Sequence, residues 1–150
     1  MTSQVEPCAE LMLDNQLCFA LYSTSLMMTK TYKPLLQALG LTYPQYLAML
    51  VLWENEGITV SEISARMLTD PGSLTPLLKR LESEGLLQRQ RSSQDERVVQ
   101  LYLTDKGRAL HEQAKALPAC ILKASGLSLE QLASLKEELV ELRSHLQQTL

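Results

Sequence analysis

Aromatic residues, basic charge and paired cysteines are all scarce in this chain. Aromatic side chains make up 5% of its 150 residues, which disfavours a body built mainly from strands. The formal net charge is −3, so a strongly basic nucleic-acid-binding surface is excluded, although a local basic face is not. Three cysteines without a CxxC spacing exclude a secreted disulfide framework and a cysteine zinc site. The longest apolar run, Leu47 to Trp53, is far too short to cross a bilayer.

What the chain does contain is typical of one helical globular domain. Hydrophobic residues account for 45% and charged residues for 21%, and the helix formers Leu, Ala, Glu and Gln are abundant. The first ten residues are polar and acidic, so they do not resemble a signal peptide. We therefore expect a single domain over residues 1–150 that is cytoplasmic, lacks a membrane segment and needs no metal or cofactor.

Capping residues and prolines divide the first half of the chain into helices. Asp14 can cap a first helix, and because Pro34 falls inside its pattern, a kink or break is predicted there. Pro44 begins a second helix. The segment Thr59-Val-Ser-Glu62 matches a capping box and begins a third.

A fourth helix has the clearest boundaries. Asp70 is placed to cap it, Pro71 occupies the first turn, and Gly85 ends it. Leucines at helical spacing form its inward stripe: Leu74, Leu77, Leu78 and Leu81. The polar and basic residues left on or near the outward side are Ser73, Thr75, Pro76, Lys79 and Arg80.

Beyond Gly85 the pattern changes to that of a hairpin. Residues 86–91 and 98–103 are β-compatible runs around a polar tip, with Arg89, Arg91 and Arg97 near it. A further helix begins at Thr104-Asp105 and is interrupted at Pro118, and a last one begins at Ser128. The predicted fold is therefore mainly α with a small β-hairpin wing.

Helix, turn, helix and then a two-stranded ribbon is the order of a winged helix-turn-helix. Its fourth helix is about 20 Å long and fits a DNA major groove about 12 Å wide. Short side chains at the start of this helix can reach base edges or phosphates, and Lys79 and Arg80 are placed to contact the DNA backbone. The arginines of the wing suit a narrow minor groove. Residues 66–108 contain eight Lys or Arg and six Asp or Glu, a weak net charge of +2 in the direction that DNA binding requires.

Several longer motifs resemble the winged-helix core of the MarR family over about residues 13–124. These are Ser73-Leu-Thr-Pro-Leu-Leu-Lys-Arg-Leu-Glu, Gly85-Leu-Leu, Asp95-Glu-Arg-Val-Val and Leu103-Thr-Asp-Lys-Gly107. Within the family, the segments at residues 15–22 and 41–47 are similar to its organic hydroperoxide resistance regulators, in the branch with two cysteines.

The resemblance implies a winged-helix homodimer that represses a peroxidase gene from a pseudo-palindromic operator. Residues 1–40 and 105–150 would be dimerisation helices, and residues 44–103 the winged helix-turn-helix. Asp95 and Arg97 match the family's wing motif, in which the pair positions the wing and Arg97 would enter the minor groove. The leucines between 129 and 146 agree with a dimer interface, although they could instead pack within their own subunit.

Cys18 lies on the apolar side of the first helix, about one turn from its predicted start. Without the resemblance it is either a small buried hydrophobe or a reactive thiol, and reactivity requires donors or cations that stabilise a thiolate. The resemblance implies that Tyr32 and Tyr43 supply those donors across the dimer. It also implies that an organic hydroperoxide oxidises Cys18, which then forms an intersubunit disulfide with Cys120. Cys8 is expected to be a bystander, with a role as the second thiol as its alternative.

Three other functions are compatible with the sequence. The chain could be a repressor that responds to a small aromatic anion, with cysteines used only for packing. It could be a thiol peroxidase, although no phosphate-binding glycine loop, zinc-protease motif or nucleophile elbow is present. It could also be an architectural DNA-binding protein without an inducer.

Overall fold

Within residues 3–150, seven α-helices and three short strands follow one another in the order expected of a winged helix. The computed structural model describes residues 3–150. The helices are α1 Leu17–Gln37, α2 Tyr43–Glu54, α3 Val60–Met67, α4 Pro71–Ser83, α5 Asp105–Ala114, α6 Leu117–Ser125 and α7 Leu129–Gln148. The strands are β1 Ile58–Thr59, β2 Leu87–Arg91 and β3 Val99–Leu103, and two 3-10 turns, Ala9–Leu11 and Leu13–Asn15, precede α1. The mainly helical winged fold is confirmed.

The chain divides into two compact units, the first ending at Tyr43 and the second running from Pro44 to Leu150. The second unit contains the sheet, whose strand order is β1-β3-β2 with antiparallel pairing throughout. β2 and β3 form the predicted hairpin, with Leu87 opposite Leu103. β1 was not predicted, because two residues are too few to produce an alternating pattern.

Helices α2, α3 and α4 supply half of the buried apolar side chains of the second unit. Ala48, Met49 and Leu52 of α2 are completely buried, as is Ile63 of α3. From α4 the buried side chains are Leu74, Leu78 and Leu81, whereas Leu77 is half-buried. The predicted inward stripe of α4 is thus confirmed at three positions, and the opposite side of the helix is left to solvent.

The predicted helix caps are present in the second unit. Thr59 Oγ1 accepts a hydrogen bond from the Glu62 amide at 3.1 Å, and Asp70 Oδ1 accepts one from the Ser73 amide at 2.8 Å. Ser128 forms a complete capping box, in which its amide also donates to the Gln131 side chain. Caps depend on neighbouring residues only, which is why the sequence identifies them.

The start of the first helix differs from the prediction. Asp14 lies in a 3-10 turn, and Gln16 occupies the N-cap position of α1 without a side-chain capping bond. The Gln16 side chain instead donates to the carbonyl oxygens of Glu10 and Met12, at 2.8 and 2.9 Å. Because these bonds fold the preceding residues back on themselves, α1 begins at Leu17, three residues later than Asp14.

The predicted break at Pro34 is wrong, since α1 is continuous from Leu17 to Gln37. Proline removes one backbone hydrogen bond and is costly in a helix interior. Pro34 lies in the last turn of α1, where few helical residues follow it.

Within residues 3–150, no helix combines the length and the apolar character needed to span a membrane.

The end of α4 is held against the beginning of α5. Thr104 Oγ1 donates to the Gly85 carbonyl at 2.6 Å, and Lys106 Nζ donates to the Glu84 carbonyl at 3.0 Å. Helix ends leave backbone carbonyls without partners. These two side chains provide such partners from the next helix, and they fix the direction in which α4 leaves the core.

Gly107 allows this close approach. A Cβ atom at this position would lie 2.1 Å from the Leu86 carbonyl oxygen, which is shorter than any real contact. The Gly107 carbonyl in turn accepts a hydrogen bond from Trp53 Nε1 at 3.0 Å. Gly107 therefore connects α2, α5 and the residues that follow α4.

A second connection is made by Glu56, in the turn after α2. Its carboxylate accepts hydrogen bonds from the Leu103 amide at 2.8 Å and from Arg108 at 3.0 and 3.1 Å. The bonds from Arg108 are the main reason why the pKa of Glu56 lies below its usual value. This pair joins β3 and α5 to the turn that precedes β1.

We predict that Gly107→Ala destabilises the protein by about 1–3 kcal/mol, because the added methyl group must displace the Leu86 carbonyl. Chemical denaturation of the two proteins measures the difference. Ala109→Ser, an exposed position on the same helix, is the control and should change stability by no more than about 0.5 kcal/mol. Equal stability of Gly107→Ala and the unmodified protein would contradict the close packing.

We also predict a pH dependence for the Glu56–Arg108 pair. Because folding lowers the pKa of Glu56, its charge stabilises the native state above the unfolded value of about 4.3, and this contribution is lost as the pH falls through the folded value. The difference in melting temperature between the unmodified protein and Glu56→Gln should therefore be constant above about pH 5 and shrink below about pH 4. A difference that persists at pH 3 would show that the charge is not its cause.

Candidate nucleic-acid interface and cysteine sites

The solvent side of α4 carries the residues expected to contact DNA. Ser73, Pro76, Lys79 and Arg80 are exposed, and Thr75 is half-buried. Ser73 and Pro76 are three residues apart and share a helix face, while Thr75 lies on the other flank. The structure thus brings the predicted α4 residues to one side of the winged helix.

Both hydroxyl groups of this set are hydrogen-bonded within the first turns of α4. Ser73 Oγ donates to Asp70 Oδ2 at 2.9 Å, and Thr75 Oγ1 donates to the Pro71 carbonyl at 2.9 Å. The bonds from the Ser73 amide and hydroxyl are the main reason why the pKa of Asp70 lies below its usual value. The capping carboxylate is therefore ionised at neutral pH.

Two of the wing arginines lie at the tip of the hairpin. Arg91 donates to the Glu96 carbonyl at 2.7 Å, which closes the loop. The amide of Arg97 donates to Asp95 Oδ1 at 3.0 Å, and its Nε lies 3.3 Å from the same oxygen. The Arg97 side chain is 89% exposed, so Asp95 orients it while leaving it accessible.

Arg89 has a different environment from the other two. It pairs with Leu101 in the register of the sheet, two residues along β2 from the buried Leu87. Since alternate residues of a strand share a face, its side chain is directed toward the core side and is 26% exposed. Arg89 Nε lies 3.8 Å from Glu82 of α4, whose carboxylate also accepts from the Arg89 amide.

The first unit places Cys18 at the very beginning of α1. Cys18 is the second residue of the helix and is exposed, closer to the N-terminus than the sequence indicated. The first amide groups of a helix have no intrahelical partners and form the positive end of its dipole.

Tyr32 and Tyr43 form a ring pair in the same unit. Their ring centroids are 5.1 Å apart and the planes are inclined at 58°. Burial raises the pKa of the Tyr43 phenol, so its hydroxyl stays protonated at neutral pH. Tyr32 is fourteen residues from Cys18 in one continuous helix, a separation of about 21 Å. Tyr32 and Cys18 of one chain therefore cannot touch.

The other two cysteines are also exposed free thiols. Cys120 lies in α6. Cys8 lies just before the first 3-10 turn, where its thiol donates to Glu10 Oε2 at 2.8 Å and lowers the pKa of that carboxyl group. Among residues 3–150, no group of three His, Cys, Asp or Glu side chains is arranged to hold a metal ion.

Both terminal helices present exposed apolar side chains. Of the 21 residues of α1, only Leu36 is buried. No residue of α7 is buried in the part of the chain that the structure describes, although the helix is rich in leucine. The large exposed apolar side chains of the two helices include Leu17, Phe19, Tyr22, Leu26, Met27, Leu129, Leu135, Leu139, Val140 and Leu146.

Comparison with known proteins identifies the family. The family model of the transcriptional regulator SarA/Rot matches residues 30–114. The chain is 51% identical over 136 residues to the organic hydroperoxide resistance transcriptional regulator of Bacillus subtilis (strain 168), covering 91% of the chain and 92% of that protein. It belongs to the MarR family of transcriptional regulators.

Solved structures of MarR-family proteins support the same assignment. AbfR of Staphylococcus epidermidis, solved in its reduced form bound to DNA, is 36% identical, with a TM-score of 0.71 over 89% of this chain and 93% of its own. Its overoxidised form bound to DNA matches with a TM-score of 0.72. CouR bound to a 23-mer DNA duplex is 26% identical, with a TM-score of 0.82 over 94% and 99% of the two chains.

Membership of the MarR family makes this chain a transcriptional regulator rather than an enzyme, so the thiol peroxidase alternative is set aside. Sequence reasoning missed two features of the interface, the hydroxyl bond of Ser73 and the contact of Arg89 with Glu82. The capping pattern at Asp70 could have indicated the first. The second depends on how β2 packs against α4.

Proposed function

We propose that this chain is a homodimeric repressor that releases operator DNA when an organic hydroperoxide oxidises Cys18. The observation that carries the proposal is the position of Cys18 as an exposed residue in the first turn of α1, about 21 Å from Tyr32 of the same helix. Tyrosine donors of the kind the family uses must then come from a second copy. The similarity to the Bacillus subtilis regulator and to AbfR supports a redox-responsive repressor.

Dimerisation follows from the exposed apolar faces of α1 and α7. Each helix leaves many large apolar side chains exposed, and exposed apolar side chains in such numbers mark an interaction site. Residues 1–40 and 105–150 would supply the interface and residues 44–103 the two winged helices. A two-fold dimer reads a pseudo-palindromic site whose halves lie about 34 Å apart, one turn of DNA.

Each winged helix offers one element to each groove. In the major groove, Ser73, Thr75 and Pro76 approach base edges while Lys79 and Arg80 contact phosphates. At the wing, Arg97 enters the minor groove, oriented by Asp95, and Arg91 shapes the tip. Arg89 is assigned a positioning role, because it faces Glu82 and is mostly covered.

The sensing chemistry begins with the Cys18 thiolate. The sulfur attacks the distal peroxide oxygen, the O–O bond breaks, and a sulfenic acid forms as the leaving alkoxide takes up a proton to become an alcohol. We assign the hydroxyl groups of the partner subunit's Tyr32 and the partner subunit's Tyr43 as hydrogen-bond donors to this sulfur.

The sulfenic acid then condenses with the partner subunit's Cys120. A sulfur–sulfur bond forms and water leaves. The two electrons given up by the two thiols reduce the peroxide to the alcohol and this water, so no further oxidant is needed. A disulfide requires Cα atoms within about 7 Å. Because the bond fixes one helix of each subunit relative to the other, it changes the spacing of the two α4 helices and weakens operator binding.

A repressor that responds to an aromatic anion is the second candidate. A cavity of about 230 Å³ in the second unit is lined by Trp53, His111 and Lys115, among others. Trp53 could stack on the ring of an aromatic carboxylate and Lys115 could contact its charge, although Glu54 lines the same cavity and Lys115 already pairs with Glu112. Release of operator DNA by salicylate but not by cumene hydroperoxide would favour this candidate over the first.

We predict that Cys18→Ser keeps operator binding but loses its response to cumene hydroperoxide, because a serine hydroxyl is too weak a nucleophile to attack the peroxide in place of the thiolate. Titrations in gel-shift assays, with and without a thiol reductant, measure the response. Cys8→Ser is the matched control and should respond as the unmodified protein does. Peroxide-induced release by Cys18→Ser would contradict the assignment of the sensor.

Cys120→Ser should abolish the disulfide-linked dimer that cumene hydroperoxide produces in the unmodified protein. Non-reducing electrophoresis detects this species, and Cys8→Ser should leave it intact. If Cys120→Ser still forms the linked dimer, Cys120 is not the second thiol. If the linked dimer persists in Cys120→Ser and is lost in Cys8→Ser, then Cys8 is the second thiol.

The salt dependence of operator binding should distinguish Arg97, which contacts DNA, from Arg89, which has a positioning role. Each phosphate contact contributes about one to the slope of log K against log salt. Arg97 is 89% exposed, and a cation in the minor groove releases counterions from DNA as a phosphate contact does. Arg97→Gln should therefore lower the slope by about one for each subunit. Arg89→Gln should leave the slope unchanged even where it weakens binding. A reduced slope for Arg89→Gln would make it a phosphate contact.

A further inference from the structure

The first turn of α4 presents hydrogen-bond acceptors but few donors to solvent. A serine or threonine hydroxyl has one proton to donate and two lone pairs that accept. The Ser73 proton is directed to Asp70 Oδ2, and the Thr75 proton to the Pro71 carbonyl, each at 2.9 Å. Both oxygen atoms therefore meet a ligand as acceptors.

The backbone of the same turn is equally short of donors. Helix N-termini usually offer free amide groups, which is why they bind phosphates. Here Pro71 has no amide hydrogen, and the amide groups of Ser73 and Gly72 are both directed to the Asp70 carboxylate, the Ser73 amide at 2.8 Å from Oδ1. The Asp70 carboxylate adds negative charge at the same place. This turn is therefore unsuited to a phosphate and suited to a donor.

Ser73 Oγ already donates its proton to the charged Asp70 carboxylate. A ligand that bonds to this oxygen must therefore supply the donor. Hydrogen bonds to an ionised carboxylate are about twice as strong as neutral ones. The same carboxylate is held in place as the cap of α4 by the Ser73 amide. Rotation of the hydroxyl to serve as a donor would break a charge-assisted bond and leave the cap weaker.

Only two of the four bases carry a donor in the major groove. These are adenine, with its N6 amino group, and cytosine, with its N4 amino group. Guanine presents only acceptors there, and thymine presents an acceptor and a methyl group. An acceptor such as Ser73 Oγ therefore gains a bond at adenine or cytosine and faces another acceptor at guanine or thymine.

The neighbour of Ser73 on the helix surface distinguishes between those two bases. Pro76 is exposed and lies three residues away on the same face. Its ring is apolar and fits the thymine methyl group, which only an A·T pair places in the same groove as an amino donor. Ser73 and Pro76 together match the two edges of one A·T pair or of adjacent A·T pairs.

We infer that Ser73 and Pro76 determine sequence specificity by selecting A·T pairs in the major groove, Ser73 by accepting from the adenine amino group and Pro76 by contact with the thymine methyl group. This inference rests on the proposed binding of operator DNA. Lys79 and Arg80, further along α4, contact phosphates and carry no share of this selection.

The test begins with a duplex selected from a random pool by the reduced full-length protein. Each A·T pair of a half-site is then replaced in two ways. Adenine is changed to purine, which lacks only the amino group, or thymine to uracil, which lacks only the methyl group. Fluorescence anisotropy at fixed salt gives the dissociation constants for the unmodified protein, Ser73→Ala, Ser73→Thr and Pro76→Ala.

At one pair in each half-site, purine should weaken binding of the unmodified protein about three- to tenfold. Uracil at that pair or its neighbour should weaken it about threefold. Ser73→Ala should lose the response to purine only, and Pro76→Ala the response to uracil only. Ser73→Thr keeps the hydroxyl and should keep the response to purine, which separates loss of the acceptor from damage to the helix cap.

Arg80→Gln is the matched control on the same helix. It should bind every duplex more weakly and respond to purine and uracil as the unmodified protein does. A selected site without A·T pairs, or an undiminished purine response in Ser73→Ala, overturns the inference while leaving DNA binding intact. Failure of the unmodified protein to bind any duplex overturns the proposed function and the inference with it.

Discussion

The contact between Gly107 and the Leu86 carbonyl is the constraint on which the winged helix depends. No side chain fits between them, so the start of α5 lies directly against the residues that follow α4. Thr104 and Lys106 bond the carbonyls of Gly85 and Glu84, the two residues that directly follow that helix, and Trp53 of α2 bonds the Gly107 carbonyl. The direction of α4 is thereby tied to α2 and α5.

The wing is attached to this frame by charged side chains. Glu56 joins β3 and Arg108, and Glu82 contacts both the backbone and the side chain of Arg89. These carboxylates hold the hairpin from both of its strands. The tip beyond them is organised only by its own bonds, which leaves Arg97 accessible at a defined position. Rigidity near the helices and exposure at the tip are what a minor-groove contact requires.

Local patterns were sufficient for most of the fold. Caps at Thr59, Asp70 and Ser128 and the leucine stripe of α4 involve residues a few positions apart, so the sequence predicts them directly. The same reasoning failed at Asp14, because the Gln16 side chain bonds back to Glu10 and Met12 and moves the helix start. It also failed at Pro34, where proximity to the helix end makes proline tolerable.

The sequence alone determined the order of elements, the family and the candidate cysteines, because these depend on residue types and short spacings. Only the tertiary structure decided which arginine reaches solvent, since Arg89 and Arg97 look alike in the chain and differ through the strand face and the approach of Glu82. It also decided which hydrogen bonds the hydroxyl groups on the surface of α4 can still form. A hydroxyl group donates or accepts according to the partner it already has, and that partner is set by the folded backbone around Asp70.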